Sequence, residues 1–209
     1  MSIEVDTPPS LADIRAAAAR IAPYAHRTPV LTCASLDAIT GANLFFKCEN
    51  FQKAGAFKFR GACNAVFSLP DDAAARGVVT HSSGNHAAAL ALAARLRGTT
   101  ARIVMPNNAP EVKKAAVAGY GGTITFCEPT LAARESTTAR IIDETGAELV
   151  HPYNDYRVIA GQATAALELI EDGPDLDVIM APVGGGGLLA GTALSANYLS
   201  SKTRVIAAE

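Results

Sequence analysis

The sequence lacks the features typical of membrane, nucleic-acid-binding and disulfide-rich proteins. The 18 Lys and Arg residues nearly balance 20 Asp and Glu, and the net charge of −2 predicts neither a nucleic-acid-binding surface nor an acidic tail. No apolar run reaches the roughly 18 residues that a membrane-spanning helix needs. The first ten residues are polar and acidic, unlike a secretory signal peptide. These absences predict no membrane partner and no nucleic-acid partner.

Cysteine is also scarce, and its spacing excludes two kinds of site. The four cysteines are Cys33, Cys48, Cys63 and Cys127. No two of them form a CxxC pair, so the sequence predicts neither a zinc site nor a dithiol redox motif. Reduced thiols in a cytoplasmic protein are the simplest interpretation.

Short apolar strands alternate with helical segments along most of the chain. This alternation predicts an α/β fold with parallel sheets in one large or two small domains. The predicted strands are 43–49, 77–81, 101–105, 123–127, 148–151, 177–183 and 203–208, after an extended segment at 28–31. The predicted helices are one opened by a capping box at Ser10, then Lys58 to about Leu69, 86–97, 110–118, 131–145, 158–171 and 188–199. Composition alone marks no domain boundary.

The stretch 50–62 places one lysine in an unusual setting. Lys58 follows a small-residue turn and lies just inside an apolar, helix-like run. Partial burial and a nearby helix N-terminus both disfavour the ammonium form and lower the lysine pKa. An amine that is neutral near physiological pH can attack a carbonyl carbon. The alternative is a solvated helix lysine, because most lysines are exposed.

Four consecutive glycines, Gly184, Gly185, Gly186 and Gly187, join a predicted strand to the helix that begins with Leu188. Consecutive glycines let backbone N–H groups converge on an anion such as phosphate, and the helix dipole favours the negative charge. A tight turn would need only one or two glycines. The run Gly185-x-Gly187-x-x-Ala190 also fits a dinucleotide fingerprint, with Glu209 placed as the ribose-binding acid. The residues leave both interpretations open.

A third stretch, His81 to His86, also joins a strand to a helix. The hydroxyls of Ser82 and Ser83, the amide of Asn85 and the N–H groups of the helix start suit a carboxylate or a ring oxygen. Helix capping is the alternative for these residue types. The two histidines are most simply packing or surface residues, and the sequence has no histidine spacing typical of a metal site.

Taken together, these stretches resemble the serine/threonine dehydratase and serine racemase family. This family belongs to the tryptophan-synthase β-like (fold type II) pyridoxal phosphate enzymes. The matching runs keep the family's order across nearly the whole chain: 45–49, 51–62, 81–86, 158–162 and 184–187. Within the family, the sequence is similar to the serine racemase and threo-3-hydroxyaspartate dehydratase branch.

The resemblance implies roles for the cofactor-binding residues. Lys58 matches the lysine that holds pyridoxal phosphate as a Schiff base. Phe57 matches the residue that packs near the cofactor ring, and Asn85 the residue near its 3-oxygen. The phosphate cradle matches Gly184, Gly185, Gly186, Gly187 and Leu188.

The resemblance also implies substrate and metal sites. The loop Ser82, Ser83, Gly84, Asn85 and His86 matches the loop that holds the substrate carboxylate. Ser83 matches the serine that, in racemases, faces the side of the substrate opposite the lysine. Glu209 matches an acidic ligand of a divalent cation, Mg²⁺ or Ca²⁺. Arg134 and the turn Tyr153-Asn154-Asp155 are candidates to bind a side-chain carboxylate of the substrate.

The implied activity is that of a dehydratase (ammonia-lyase), a racemase or both, acting on serine, threonine or 3-hydroxyaspartate. The resemblance further implies a homodimer and two open parallel-sheet domains. The large domain comprises 1–67 and 152–209, and the small domain 68–151. Ala56 stands where many members have serine, and the family continues well beyond Glu209, so a C-terminal part of the large domain is expected to be missing. The alternatives are a nucleotide-dependent oxidoreductase and a non-catalytic phosphate-ligand-binding fragment.

Overall fold

A computed structural model describes residues 7–209, and residues 1–6 of the polar N-terminus lie outside the described part. The helices are α1 (Leu11–Ile21), α2 (Ala34–Thr40), α3 (Lys58–Phe67), α4 (Asp71–Arg76), α5 (Asn85–Arg97), α6 (Glu111–Gly119), α7 (Leu131–Thr145), α8 (Tyr156–Asp172) and α9 (Gly187–Leu199). The strands are β1 (Val30–Leu31), β2 (Phe46–Lys47), β3 (Val78–His81), β4 (Ala101–Pro106), β5 (Thr123–Cys127), β6 (Glu148–Leu149), β7 (Val178–Pro182) and β8 (Arg204–Ala208). Within these residues, no helix is both long and apolar enough to cross a bilayer.

The larger sheet has four parallel strands in the order β5–β4–β3–β6. Its strands are rich in Val and Ile, and Val78, Ile103 and Met105 are fully buried. Burial on both faces is typical of parallel sheets. Helix α5 is also buried along most of its length, because nine of its residues from His86 to Ala94 are buried. The predicted α/β class with parallel sheets is confirmed.

A second parallel pair is formed by β7 and β8, which α9 connects. Ile179 and Ala181 of β7 are buried, whereas Val178 and Met180 between them are exposed. This alternation shows that one face of β7 packs inward and the other faces solvent. The strand–glycine loop–helix–strand order predicted for 177–208 is therefore present.

Helix α8 lies between the helix that carries Lys58 and the helix that follows the glycine loop. A Cβ added at Gly161 of α8 would lie 2.6 Å from the carbonyl oxygen of Arg60 and from the Cα of Gly61, both in α3. A Cβ added at Gly191 of α9 would lie 2.7 Å from the backbone nitrogen of Ala163 in α8. Both helices therefore approach α8 almost backbone to backbone.

Several predicted bounds in the first half of the chain are wrong. The strand predicted for 43–49 is reduced to Phe46–Lys47, because a 3₁₀ turn begins at Glu49. Phe46 of this short strand is exposed. Helix α3 ends at Phe67 rather than near Leu69. The short helices α2 and α4 were not predicted, and α2 buries none of its residues.

Candidate active site

Lys58 is the first residue of α3 and is half-buried. The turn before it has Ala54 and Gly55 in the left-handed region, with φ of 58° and 71°. Lys58 Nζ donates a hydrogen bond of 2.8 Å to the carbonyl oxygen of Pro152. Burial lowers the pKa of Lys58, because desolvation disfavours the ammonium form. Lys58 is therefore not a solvated surface lysine.

Phe57 is the N-cap residue of α3 and makes no side-chain capping bond. Its ring centroid lies 5.3 Å from Lys58 Nζ. An aromatic ring at this distance interacts favourably with the ammonium form and covers the amine on one side. Phe57 and Lys58 are thus neighbours in space as well as in sequence.

The turn at residues 151–154 brings the lysine and the glycine loop together. Pro152 accepts the hydrogen bond from Lys58. The next residue, Tyr153, packs on the glycine loop: a Cβ at Gly185 would overlap its ring, and a Cβ at Gly187 would lie 3.2 Å from its Cα. The amine and the loop therefore meet at two consecutive residues of one turn.

The glycine loop has the properties of an anion cradle. Gly186 is the N-cap of α9 and has φ of 85°, which favours glycine. Among the described residues, no protein group accepts a hydrogen bond from the backbone N–H of residues 184–187. A Cβ at Gly184 or Gly186 would meet only open space. Free N–H groups at a helix N-terminus fit a phosphate, so this loop fits the phosphate of the cofactor named above.

The loop between β3 and α5 does not cap the helix with side chains. The N-cap of α5 is Gly84, which has no side chain to donate or accept. Ser82 Oγ accepts a hydrogen bond of 3.3 Å from Gly84 N, and Asn85 Oδ1 accepts one of 3.2 Å from Lys113 Nζ. Ser83 Oγ makes no hydrogen bond within residues 7–209. The capping interpretation is therefore wrong, and the Ser83 hydroxyl is available to a ligand.

His86 points into the core. It is 2% exposed, and its Nε2 lies 3.2 Å from the carbonyl oxygen of Val150. Because a carbonyl oxygen only accepts, the ring proton lies on Nε2, and in the described part of the chain Nδ1 has no partner. Burial lowers the pKa of His86 from its ordinary 6.5 to about 3. His86 is a neutral packing histidine. Its side chain cannot contact a ligand in the loop, so only its main chain could do so.

His151 connects the loop after β3 to the turn beside Lys58. Its ring makes edge contacts with His81, at 5.5 Å between centroids, and with Tyr153, at 4.6 Å. Its Nδ1 accepts hydrogen bonds from the backbone of Tyr153 and Asn154. Burial lowers the pKa of His151 and of His81. Sequence reasoning missed His151, although it ends a predicted strand that pairs in parallel with β3 and so meets the end of β3 at one sheet edge.

Arg134 of α7 lies near the start of the same loop. Its positive charge contributes to lowering the pKa of His81. Its Nε is buried and has no hydrogen-bond partner among the described residues. Arg134 therefore carries a charged donor whose hydrogen bond is not made within the described residues.

Two further features lie at the edges of the site. Glu209 follows β8 directly and is exposed. In the part of the chain that the structure describes, no group of three Asp, Glu, His or Cys side chains could hold a metal ion. A cavity of about 700 Å³ opens beside the turn and is lined by His151, Asn154 and Arg157, among others. Lys58 is not among its lining residues, so this cavity adjoins the amine without containing it.

Comparison with known proteins agrees with this geometry. Residues 21–209 match the family described as pyridoxal-phosphate dependent enzyme. The chain is 57% identical over 201 residues to the beta-hydroxyaspartate dehydratase of Paracoccus denitrificans, which covers 96% of this chain and 64% of that protein. It is 57% identical over 196 residues to the serine racemase of Oryza sativa subsp. indica, which covers 94% of this chain and 58% of that protein.

A solved structure shares the fold. The structure of maize serine racemase superposes with a TM-score of 0.96 at 53% identity, covering 97% of this chain and 62% of that chain. The chain thus spans less than two thirds of the length of each of these relatives. The matched fold, together with a half-buried lysine beside a glycine cradle, shows that the chain belongs to the fold type II family of pyridoxal-phosphate dependent enzymes.

Proposed function

We propose that this chain carries the lysine, the phosphate cradle and the substrate loop of an enzyme that acts on a small β-hydroxy amino acid. The reaction is loss of ammonia after dehydration, racemisation at Cα, or both. One observation carries the proposal. Lys58 Nζ, whose pKa is lowered by burial, is held at Pro152 beside the turn that packs on the glycine loop.

The residues present would hold pyridoxal phosphate at three points. Lys58 Nζ would hold the cofactor at its aldehyde carbon, and Phe57 would pack near the ring. The backbone N–H groups of residues 184–187, which have no partner among the described residues, would bind the phosphate. Asn85 matches the residue that, in the family, lies near the 3-oxygen of the cofactor. Its Oδ1 accepts a hydrogen bond from Lys113, and its NH₂ group, which has no partner among the described residues, could donate to that oxygen. When bound, the cofactor supplies an electron sink for the carbanion at Cα.

Two side chains divide the proton chemistry. Lys58, as a free amine, would remove the Cα proton of the substrate. The β-hydroxyl then leaves as water, and a later water releases ammonia and a 2-oxo acid, so the net change is loss of ammonia. If Ser83 instead delivers a proton to the opposite face of Cα, the product is the other enantiomer. The Ser83 hydroxyl, which makes no hydrogen bond within residues 7–209, supports this role.

We propose 3-hydroxyaspartate as the substrate that this site suits best. The partnerless, buried Nε of Arg134 lies near the start of the substrate loop, where it would pair with a second carboxylate. Serine and threonine have no such group and would leave Arg134 unpaired. The name of the Paracoccus relative supports this choice, and the rice and maize relatives support serine as the second candidate.

The remaining expectations are also proposals. The four-stranded sheet, formed within 78–149, supports a small domain at 68–151 between two parts of a large domain, 1–67 and 152–209. We further propose a Mg²⁺ or Ca²⁺ ion with Glu209 among its ligands, a homodimer, and a cytoplasmic location. No acidic cluster accompanies Glu209 in residues 7–209, so the ion would need ligands from beyond them.

Lys58→Ala tests the proposal against a matched control, Lys53→Ala. Lys53 lies in the same segment, with its Nζ 5.9 Å from the ring centroid of Phe59, whereas the hydrogen bond to the carbonyl oxygen of Pro152 comes from Lys58. With pyridoxal phosphate added, the unmutated protein should absorb visible light, and borohydride reduction followed by peptide mapping should locate the cofactor on Lys58. Lys58→Ala should lose the absorbance and at least about 10³-fold of the turnover, whereas Lys53→Ala should keep both.

The same measurement separates the alternatives. Binding of a nicotinamide dinucleotide without covalent labelling would favour the oxidoreductase interpretation. Covalent labelling of Lys58 without turnover of any β-hydroxy amino acid would favour a non-catalytic binding protein. Labelling of Lys53 instead of Lys58 would contradict the site itself.

A further inference from the structure

Arg60, two residues after Lys58, sits in a buried network of charges. Its side chain is fully buried. Its Nε and Nη2 each donate a hydrogen bond of 2.8 Å to the carboxylate of Glu49. Its Nη1 and Nη2 donate bonds of 2.7 and 2.8 Å to the carboxylate of Glu168 in α8. The guanidinium is thus held by two carboxylates, each with two hydrogen bonds.

The network is neutral and closed by a second cation. Lys47 Nζ lies 2.6 Å from Glu168 Oε2 and also donates to the carbonyl oxygen of Thr28 at 2.7 Å. The two positive charges of Lys47 and Arg60 balance the two negative charges of Glu49 and Glu168. Buried ion pairs of this kind add little net stability over apolar packing, because desolvation offsets the attraction. The paired hydrogen bonds from Arg60 to each carboxylate do, however, constrain the relative positions of the groups that they join.

The geometry that Arg60 fixes is that of the lysine segment. Its bonds to Glu49, eleven positions earlier, close the segment that carries Lys58. Its bonds to Glu168 tie the first turn of α3 to α8. Helix α8 also supports α9, whose N-terminus is the glycine loop, through the close approach of Gly191 to Ala163. A rigid, planar fork with two anchors restricts both the position and the rotation of the helix start.

We infer that Arg60, held by Glu49 and Glu168, is a positioning residue that sets where the Lys58 amine lies relative to the phosphate cradle. This inference rests on the proposed function above. The position of the Lys58 Cα sets which points its Nζ can reach, and partial burial of the side chain limits how far a change of rotamer can compensate for a shift of the helix start. A displacement of about 1 Å at a reacting atom can cost on the order of 10²-fold in rate.

Two conservative variants test the inference. Arg60→Lys keeps the charge and loses the fork, and Glu168→Gln keeps the shape and loses the charge. Two probes are used on the folded fraction of each protein. Pyridoxal phosphate reports the rate at which the covalent bond to Lys58 forms, followed by absorbance and borohydride labelling. Pyridoxine 5′-phosphate, which has no aldehyde, reports binding to the cradle alone.

The expected result is a split between the two probes. Covalent bond formation should slow by at least about tenfold in both variants, while the affinity for pyridoxine 5′-phosphate stays within about threefold of the unmutated protein. The matched control is Arg20→Lys. Arg20 lies in α1 and donates a hydrogen bond to Asn64, in the second half of α3, so it contacts the same helix far from Lys58. This control should leave both quantities unchanged, whatever its effect on melting temperature.

Other outcomes would overturn the inference. An unchanged covalent rate in folded Arg60→Lys, even with a lower melting temperature, would show that the network has only a structural role. A parallel loss of rate and pyridoxine 5′-phosphate affinity would mean that the whole site is disturbed and not the lysine in particular. Failure of the unmutated protein to label on Lys58 at all would contradict the proposed function instead.

Discussion

At the scale of single residues, the two serines of the loop between β3 and α5 differ in their contacts. Ser82 Oγ accepts a hydrogen bond from Gly84 N and so shapes the loop. Ser83 Oγ has no partner in residues 7–209, although the residue is half-buried. Within the described residues, the Ser83 hydroxyl therefore has its donor and both acceptor positions open to a ligand, whereas Ser82 already uses one acceptor position to shape the loop.

Ser83→Ala should therefore separate racemisation from elimination. Interconversion of L- and D-serine should fall by about 10²- to 10⁴-fold, because one face of Cα loses its proton donor. Dehydration of the enantiomer whose Cα proton faces Lys58 should remain measurable. The measurement follows the 2-oxo acid and the D/L ratio together, with Ser82→Ala as the control. Survival of racemisation with loss of L-serine dehydration would reverse the roles given to Ser83 and Lys58.

At the scale of elements, the loop before α9 offers a clean test of charge. Gly186→Asp adds a carboxylate to the phosphate cradle, and Gly186→Asn adds nearly the same atoms without the charge. Both variants bear the strain of φ 85°, which Asn and Asp tolerate better than most residues. Repulsion between the carboxylate and the phosphate should make pyridoxal phosphate binding to Gly186→Asp at least about tenfold weaker than binding to Gly186→Asn. Equal dissociation constants for the two variants would show that the phosphate does not bind at this loop.

Helix α8 gives the second prediction at this scale. In Gly161→Ala the new Cβ would lie 2.6 Å from backbone atoms of α3, and no side-chain rotation can relieve a backbone contact. We expect a loss of about 1–3 kcal/mol in the free energy of unfolding. Gly119→Ala is the control, because a Cβ at Gly119 at the end of α6 meets nothing within 4 Å. Denaturant unfolding should show Gly161→Ala destabilised and Gly119→Ala unchanged or slightly more stable.

The elements also show what local sequence can and cannot predict. Helix α7 has its predicted bounds, because Thr130 caps its start and Gly146 its end. Lys58 and the glycine loop could be predicted because the signal lies within a few neighbouring residues: a lysine after a small-residue turn, and four glycines before a helix. The bond from Arg60 to Glu168 joins residues 108 positions apart. Such a contact depends on how α3 and α8 pack, and a sequence read in local windows contains no signal for it.

At the scale of the whole molecule, one buried histidine links stability to pH. The ring of His86 is neutral, and protonating Nδ1 would place an unpartnered donor in the core. Its pKa is lowered by burial to about 3 in the folded chain, against an ordinary 6.5. The unfolded chain therefore binds more protons between these values. Its contribution to stability is complete above pH 6.5 and is lost as the pH falls toward 3.

His86→Gln should remove this part of the acid sensitivity. Glutamine keeps a donor for Val150 and cannot be protonated in this range. Between neutral pH and pH 4, the unmutated protein should lose on the order of a few kcal/mol more of its unfolding free energy than His86→Gln. Urea unfolding at a series of pH values measures the difference, with the exposed His26→Gln as the control. Parallel pH profiles for the unmutated protein and His86→Gln would contradict the assignment of a buried neutral ring.

The half-covered pair of β7 and β8 has a consequence for the behaviour of the chain in solution. Within residues 7–209 the two strands pair only with each other, and Val178 and Met180 face outward. Open strand edges beside an apolar pleat invite strands from other copies to add on. We therefore expect copies of this chain to associate edge to edge at β7 and β8, and to do so to a greater extent as the protein concentration rises, even where every molecule is correctly folded.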